Sequence, residues 1–231
     1  MRLKMIAFFL APIVFSTFGK AITLKGVAKS FDSDKIIYLE EHEIDVDEKG
    51  FNKRIQTKYL KPNGQLFAKM DSNFSKNKLI PEIEFEDLRF KKKEFLTYSD
   101  DKAVFKQKTE SQEEVVKEIK SITEAAAGQG FDNFIKLHFD PMQSQEVPLN
   151  FGVLSEMTFY SFKAYKKEES GGIVKFGISL TNPFYRLFAK ELIVAYDSKT
   201  KQLLSYRGLS NILDDQSNRQ NVQIDYEVVK P

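Results

Sequence analysis

The sequence predicts a mainly β protein of the α+β kind. We expect a strongly curved antiparallel sheet, or half-open barrel, of about ten strands, with one or two helices packed on its concave face. Runs of β-branched and aromatic residues recur at intervals of ~8–16 residues, and turn clusters separate them. One helical pattern interrupts these runs near the middle of the chain. A sheet of this length must twist, curl or close, which leaves a concave face to cover the apolar stripes of the helices.

The first half of the chain has the pattern of a β-meander with tight turns. Turn clusters at 47–50 and 62–64 each contain a glycine that can adopt a positive φ. Residues 82–86 alternate strictly between glutamate and apolar side chains. We therefore expect Ile83 and Phe85 to face the core and the glutamates to face water.

A helical insertion is predicted near residues 111–138. Ser111 and Glu114 fit a capping box, in which the hydroxyl and the carboxylate each bond a free backbone N–H. Gly128 suits the position that follows a helix C-terminus. Three apolar residues between these signals have the spacing of one helix face. They predict an amphipathic helix over 112–126 with a buried stripe formed by Val115, Ile119 and Ile122.

Two shorter helices are also expected. The first covers 132–137, with Asp132 as a candidate cap and His138 at its end beside the core. The second is a short segment at 184–188, after Pro183, where apolar residues recur at helical spacing. Strands resume at Val147 and continue to the end of the chain.

The first 21 residues have the pattern of a secretory signal peptide. Arg2 and Lys4 precede the apolar run 5–15, and small residues follow up to Ala21. We expect cleavage after Ala21, export to the periplasm, and a single β-rich domain over 22–231. No other apolar run approaches the ~18 residues that span a bilayer, so no transmembrane segment is expected in the mature chain.

Charge and cysteine content exclude several classes of function. Loss of the three basic residues of the leader changes the formal net charge from +2 to −1. A nearly neutral domain gives no electrostatic reason to expect nucleic acid as a partner. The chain has no cysteine, which excludes disulfides, thiolate metal sites, a cysteine nucleophile and a lipid-anchored lipoprotein. We predict no cofactor and no metal.

Glu40 and His42 form the most suggestive polar pair. They lie two residues apart in a predicted strand, so their side chains should point the same way, as a pair of metal ligands would. Only His138 remains as a further nitrogen donor. The sequence therefore favours the alternative, a solvated or hydrogen-bonded surface histidine. The acidic run 45–50 likewise favours a charged strand that ends in a turn over a calcium loop, because Lys49 lies among the carboxylates.

Aromatic residues are the main candidates for ligand binding. The chain has 21 Phe and 9 Tyr but no Trp. Most of these rings are expected to fill the core of a curved sheet, and some can instead line a site for an acyl chain. The ligand-binding candidates come from the two predicted short helices: Phe131, Phe134, Phe184, Tyr185, Leu187 and Phe188.

The order of elements resembles a known group of carriers. An exported chain without cysteine, with a long antiparallel meander split by helices, resembles the periplasmic LolA/LolB lipoprotein-carrier superfamily or a related uncharacterised periplasmic β-sheet family. The hairpin formed by 192–197 and 202–206 is similar to hairpins there. The resemblance implies a hydrophobic cavity between sheet and helices that holds acyl chains, and it carries over no binding residue.

We therefore expect a periplasmic protein that binds or carries a lipid or other apolar ligand. The alternative is a non-catalytic module with a solid core that binds an envelope protein through a strand edge or its helices. No recognisable catalytic constellation occurs, so we do not expect an enzyme. A hydrolase whose site assembles only in space stays open as a third hypothesis.

Overall fold

The computed structural model describes residues 20–120, 122–182 and 191–229 of the 231-residue chain. Residues 1–19 of the predicted leader lie outside the described residues. The segment 183–190, which includes the predicted short helix, also lies outside them. The first strand begins at Lys20, so cleavage after Ala21 would remove its first two residues.

The described residues form one sheet of fifteen strands. The strands are β1 Lys20–Ser30, β2 Ile36–Val46, β3 Asn52–Leu60, β4 Leu66–Asn73, β5 Glu82–Asp87, β6 Lys92–Ser99, β7 Lys102–Lys108, β8 Val115–Lys120, β9 Ala125–Ala127, β10 Val147–Val153, β11 Thr158–Ser170, β12 Ile173–Leu180, β13 Leu192–Asp197, β14 Leu203–Leu209 and β15 Asn221–Val229. Helix α1 covers Gly130–Leu137, and two short 3-10 helices cover Pro141–Gln143 and Leu154–Glu156.

The sheet consists of two meanders joined where the first strand meets the last. β1 pairs with β15 at the centre, strands run out to β8 on one side and to β9 on the other, and the sheet does not close. All pairs are antiparallel except that between β9 and β10. The prediction of a mainly β, curved and open sheet is confirmed, but the strand count of about ten was too low.

Local patterns explain several of these strands. In β5, Ile83 and Phe85 are buried and Glu84 is exposed, as their alternation predicts. The turns that flank β3 contain Gly50 at φ +81° and Gly64 at φ +86°, in the region that glycine enters without steric cost. These glycines fix where the first strands reverse direction.

The sheet curves until its two halves touch. β9 and β5 are eleven positions apart in the strand order, which would separate them by roughly 50 Å in a flat sheet. Yet the amide of Ala127 in β9 donates to the carbonyl oxygen of Leu79, just before β5, at 3.0 Å. The rings of Phe105 in β7 and Phe159 in β11 also meet, with centroids 5.5 Å apart. The β9 end of the sheet therefore rolls inside the β3–β7 half.

The core has two parts, and β9 separates them. Ala125 and Ala127 belong to a cluster formed mainly by the β1–β7 half, with Tyr38, Tyr59 and Phe85 among its largest rings. Ala126, on the opposite face of β9, belongs to a second cluster built from β10–β13 and α1, whose largest members are Phe134, Phe139, Phe176 and Tyr196. Helix α1 therefore packs on the inner face of the rolled end of the sheet.

The prediction of a helix over 112–126 is wrong, because this segment contributes to β8 and β9 instead. Val115 and Ile119 are four residues apart, a spacing that puts side chains on one face of a helix and equally on one face of a strand. β-branched residues favour the strand, and the free edge of β7 supplies a partner for it. β8 and β9 are therefore two of the strands by which the observed fifteen exceed the predicted number of about ten.

The second predicted helix is confirmed as α1, with one difference. It begins at Gly130 rather than Asp132, and Gln129 occupies the N-cap position without a side-chain capping bond. Asp132 lies inside the first turn, where Lys136 pairs with it at 2.8 Å. His138 ends the helix with its ring 4.4 Å from that of Phe134, as expected.

Candidate functional site

The polar residues at the centre of the inner face form a buried cluster around Glu40 and His42. The two side chains share a face of β2, as predicted, but they are only 4% and 7% exposed. The expected surface position of His42 is therefore wrong, although the histidine is hydrogen-bonded, as one form of that expectation had it. The neighbouring strands cover this position, because His42 lies between Leu24 on β1 and Thr57 on β3.

A continuous series of hydrogen bonds ends on the Glu40 carboxylate. Gln129 Nε2 donates to Thr57 Oγ1 at 2.7 Å, and Thr57 Oγ1 is also hydrogen-bonded to His42 Nδ1 at 2.8 Å. His42 Nε2 is 3.0 Å from Glu40 Oε2. Both ring nitrogens of His42 are therefore hydrogen-bonded. Ser72 Oγ starts the series by donating to Gln129 Oε1 at 2.8 Å.

Tyrosines surround the same carboxylate from other strands. Tyr226 on β15 donates its hydroxyl to Glu40 Oε2 at 3.0 Å, although β1 lies between their strands. Gly26 on β1 makes this possible, because a Cβ there would lie 2.8 Å from the Tyr226 ring. Burial, and next the negative charge of Glu40, raises the pKa of Tyr38, Tyr59 and Tyr226 well above the ordinary value. These phenols therefore stay neutral. Besides the bond from Tyr226 to Glu40, Tyr59 accepts from Asn211 Nδ2 at 3.4 Å, and Tyr38 is hydrogen-bonded to Ser210 Oγ at 2.8 Å.

The chemistry open to this cluster is limited by its packing. A hydroxyl, an imidazole and a carboxylate in series have the composition of a nucleophilic triad. Thr57 is only 2% exposed, however, and its oxygen already accepts from Gln129 and bonds His42. A substrate would have to displace Gln129 and the start of α1. The cluster therefore fixes the position of the helix against β2, β3 and β4.

The described residues contain no complete set of metal ligands. In residues 20–120, 122–182 and 191–229, no group of three or more His, Cys, Asp or Glu side chains is arranged to hold an ion. The acidic run 45–50 forms a turn, as expected. Asp47 Oδ1 accepts from the amides of Lys49 and Phe51, each at 2.9 Å.

The structure brings one predicted ligand-binding residue to a partly exposed surface. Phe131 meets the ring of Phe151 edge to face at 6.1 Å, and Phe151 meets Phe162 in the same way at 6.5 Å. Tyr160 lies directly opposite Phe151 in the β10–β11 ladder and is 38% exposed. We call these four residues the aromatic patch: Phe131, Phe151, Tyr160 and Phe162.

The other predicted ligand-binding residues lie elsewhere. Phe134 is fully buried among the side chains of the second cluster. Phe184, Tyr185, Leu187 and Phe188 lie outside the described residues. The described strands on either side of 183–190 come close to the patch. Leu180, near the end of β12, lies opposite Phe162. Leu192, at the start of β13, lies opposite Ile178 of β12.

Sequence reasoning missed most members of both sites. Gln129 and Thr57 are ordinary polar residues, and their roles depend on the contact of α1 with β3. Phe151 and Phe162 lie in strands that the sequence does predict, but only the β10–β11 register shows that they share a face. Gly26, a lone glycine inside a strand pattern, was the available signal that another group crosses close to the backbone.

A separate surface concavity of about 310 Å³ lies at the turn between β1 and β2. It contains none of the predicted ligand-binding residues. Charged and polar side chains line most of it, together with one ring: Lys29, Ser30, Phe31, Asp32, Ser33, Asp34 and Gln223. This lining does not suit an apolar ligand.

Comparisons with known proteins give an architectural likeness and no family. No protein-family model matches the sequence, and no curated protein matches it. A similar solved structure is a β-barrel-like protein of the domain of unknown function DUF1849 from Brucella abortus. It is 9% identical, the match covers 91% of this chain and 94% of that one, and the TM-score is 0.40. At these values the likeness assigns no function and no residue role to this chain.

Proposed function

We propose that this chain is an exported, non-catalytic protein that binds an apolar ligand, such as a lipid acyl chain, on the aromatic patch. The observation that carries the proposal is the row of partly exposed rings on one face of β10, β11 and α1. Phe131, which the sequence singles out as a ligand-binding candidate, is part of this row. The predicted signal peptide supports a periplasmic location, where lipids pass between membranes.

The packing of the interior decides where the ligand would lie. The described inner face is filled by side chains, since Tyr38, Phe105, Phe134 and Phe176 are all less than 2% exposed. The proposal therefore places the acyl chain along the patch and not in a sealed chamber. Such a site buries less of the ligand than a closed cavity does, so we expect modest affinity and exchange between partners.

The chemistry of the patch favours hydrocarbon over polar ligands. Its rings are apolar and only partly buried, so the surface that they leave exposed can contact methylene groups. Each Å² of apolar surface removed from water contributes about 25 cal/mol, and losses of motional freedom oppose this gain. Tyr160, the exposed member of the patch, adds one hydroxyl that can orient a polar headgroup towards water.

Native mass spectrometry after mild purification tests the proposal, together with titration of a fluorescent fatty acid. We expect co-purified lipid and saturable uptake of the fluorescent probe. Tyr160→Ser should weaken uptake at least threefold. Ile173→Ser is the matched control, because Ile173 is 39% exposed but lies at the far end of β12. Absence of both bound lipid and probe uptake, or equal losses in the two variants, would contradict the proposal.

A further inference from the structure

β8 is an edge strand with an unusually open surface. It pairs with β7, and no described strand lies on its other side. Val115 and Val116 are 50% and 51% exposed, and within the strand only Ile119 is partly buried. Alternate residues of such a strand direct N–H and C=O groups away from the sheet, where they can pair with another chain.

Most of the features that normally protect an edge are absent from β8. The strand contains no proline, and its register with β7 is regular from Val115 to Lys120, without a bulge. Proline, bulges and a covering element are common ways of blocking further pairing, and charged side chains are another. Charged side chains are the one protective feature that β8 has, at Lys117, Glu118 and Lys120. The charges on β8 therefore decide which partner fits.

Two of these charges, Lys117 and Glu118, have no ion-pair partner in the part of the chain that the structure describes. Lys106 pairs with Glu114 at 3.6 Å just before the strand begins. By contrast, Lys117 and Glu118 have no ion-pair partner within 4.0 Å among the described residues. The ladder places Lys117 opposite Phe105 and Glu118 opposite Val104, neither of which can neutralise a charge. A sixteenth strand could supply both missing partners.

A second copy of this chain is a poor occupant. Two copies of β8 related by a two-fold axis pair antiparallel, and residues that face each other must lie on the same side of the sheet. Two registers give the greatest overlap under these conditions. One places Lys117 opposite Lys117 of the second copy, and the other places Glu118 opposite Glu118 of the second copy. Like charges directly opposite each other are destabilising. The edge is therefore selective against self-association.

We infer that β8 binds one extended segment of a different protein as an additional antiparallel strand. The segment carries an acidic side chain opposite Lys117 and a basic side chain opposite Glu118. Apolar side chains lie opposite Val115, Val116 and Ile119. Backbone hydrogen bonds supply the attraction, and the charge pattern supplies the selectivity. This inference is independent of the aromatic patch, which lies on β10, β11 and α1.

A designed peptide tests this inference directly. The capped peptide Thr-Val-Lys-Glu-Val-Val-Thr places its Lys opposite Glu118 and its Glu opposite Lys117 when it pairs antiparallel. Binding is measured by fluorescence anisotropy, and the location of binding by hydrogen exchange of the β8 amides. We expect saturable binding that slows exchange in β8. A peptide with Lys and Glu interchanged should bind roughly tenfold more weakly.

A charge swap in the protein provides the second arm. Lys117→Glu combined with Glu118→Lys should reverse the preference between the two peptides. The matched control interchanges Lys58 and Glu43, an exposed cross-strand pair 3.7 Å apart on β3 and β2, and should leave the preference unchanged. The inference is overturned if β8 amides gain no protection, or if the swap does not change the preference. Protection that grows with protein concentration alone would also overturn it, in favour of self-pairing.

Discussion

The two edge strands of the sheet differ in burial: β9 is covered and β8 is exposed. At one end, all three residues of β9 are buried, both of its faces belong to the core, and its backbone bonds Leu79. At the other end, five of the six residues of β8 are exposed. Both strands come from the single segment that the sequence reads as one helix. The same stretch of chain thus supplies the most protected edge and the most open one.

The difference shows what protects a strand edge in this fold. β9 is short and consists of three alanines, so its own side chains bury little surface. Its protection comes from α1, which follows it immediately, and from the opposing half of the rolled sheet. β8 has larger apolar side chains but no covering element among the described residues. Tertiary cover, and not side-chain hydrophobicity, therefore separates the two edges, and four substitutions or measurements probe this comparison.

The largest expected effect is at the helix that covers β9. Phe134→Ala removes a fully buried ring from the second cluster, which should lower the free energy of unfolding by about 4 kcal/mol. Leu137→Ala on the same helix is the control, because Leu137 is 52% exposed, and it should cost less than about 0.5 kcal/mol. Chemical denaturation measures both. Equal effects would mean that α1 does not cover the β9 end as described.

Gly130 tests the close approach that seals the β9 edge. A Cβ on Gly130 would lie 2.0 Å from the carbonyl oxygen of Leu79, and backbone cannot easily move away. We expect Gly130→Ala to cost about 3 kcal/mol of stability. Gly64→Ala is the comparison, since nothing lies near its Cβ position and only its φ of +86° is unfavourable. That change should cost about 1 kcal/mol, and a larger loss at Gly64 than at Gly130 would refute the steric argument.

Tyr196 gives a smaller effect with a distinct pH signature. Its hydroxyl donates to Asp132 Oδ1 at 2.9 Å, and burial followed by the Asp132 charge raises the pKa of Tyr196 well above its ordinary value. The phenol of Tyr196 ionises near pH 10 in the unfolded chain but not in the folded one. The difference in ionisation therefore lowers the free energy of unfolding as pH rises above about 10. Tyr196→Phe should cost about 1 kcal/mol at neutral pH and make the alkaline loss of stability less steep. Denaturation midpoints from pH 7 to 11 measure this, and an unchanged alkaline slope would argue against the assignment.

The smallest effect is expected at β8 itself. Val116→Thr alters a side chain that is 51% exposed on an open edge, so stability should change by less than about 0.5 kcal/mol. Native-state hydrogen exchange sharpens the comparison, because amides of β9 should exchange at rates set by global unfolding and those of β8 by local fraying. Similar protection of the two strands would show that the edges differ less in stability than in exposure.

The sequence predicts much of this fold because its signals are local. The alternation in β5 and the turn glycines at 50 and 64 act on neighbouring residues and appear in the structure where expected. The segment 112–126 shows the limit of such signals. An apolar pair four residues apart fits a helix face and a strand face equally well, and the free edge of β7 decided the outcome. The β7 edge lies outside the segment 112–126, so the residues of that segment alone could not decide between helix and strand.

The candidate sites divide in the same way. The common direction of Glu40 and His42 follows from their spacing on one strand, so it was predictable. The burial of the pair was not, because Thr57, Gln129 and Tyr226 reach it from distant parts of the chain. Phe131 was identified from its helix, but its neighbours in the aromatic patch are set by the register of β10 and β11.

The sequence by itself determined the β-rich class, most strand positions, the turn positions and the short helix α1, since these depend on backbone preferences and side-chain periodicity. The tertiary structure alone decided how far the sheet rolls, which edge is covered and which polar groups meet in the core. Those features depend on contacts between residues far apart in the chain. Their energies arise from mutual burial and from hydrogen bonds that exist only once the two halves of the open sheet pack against each other.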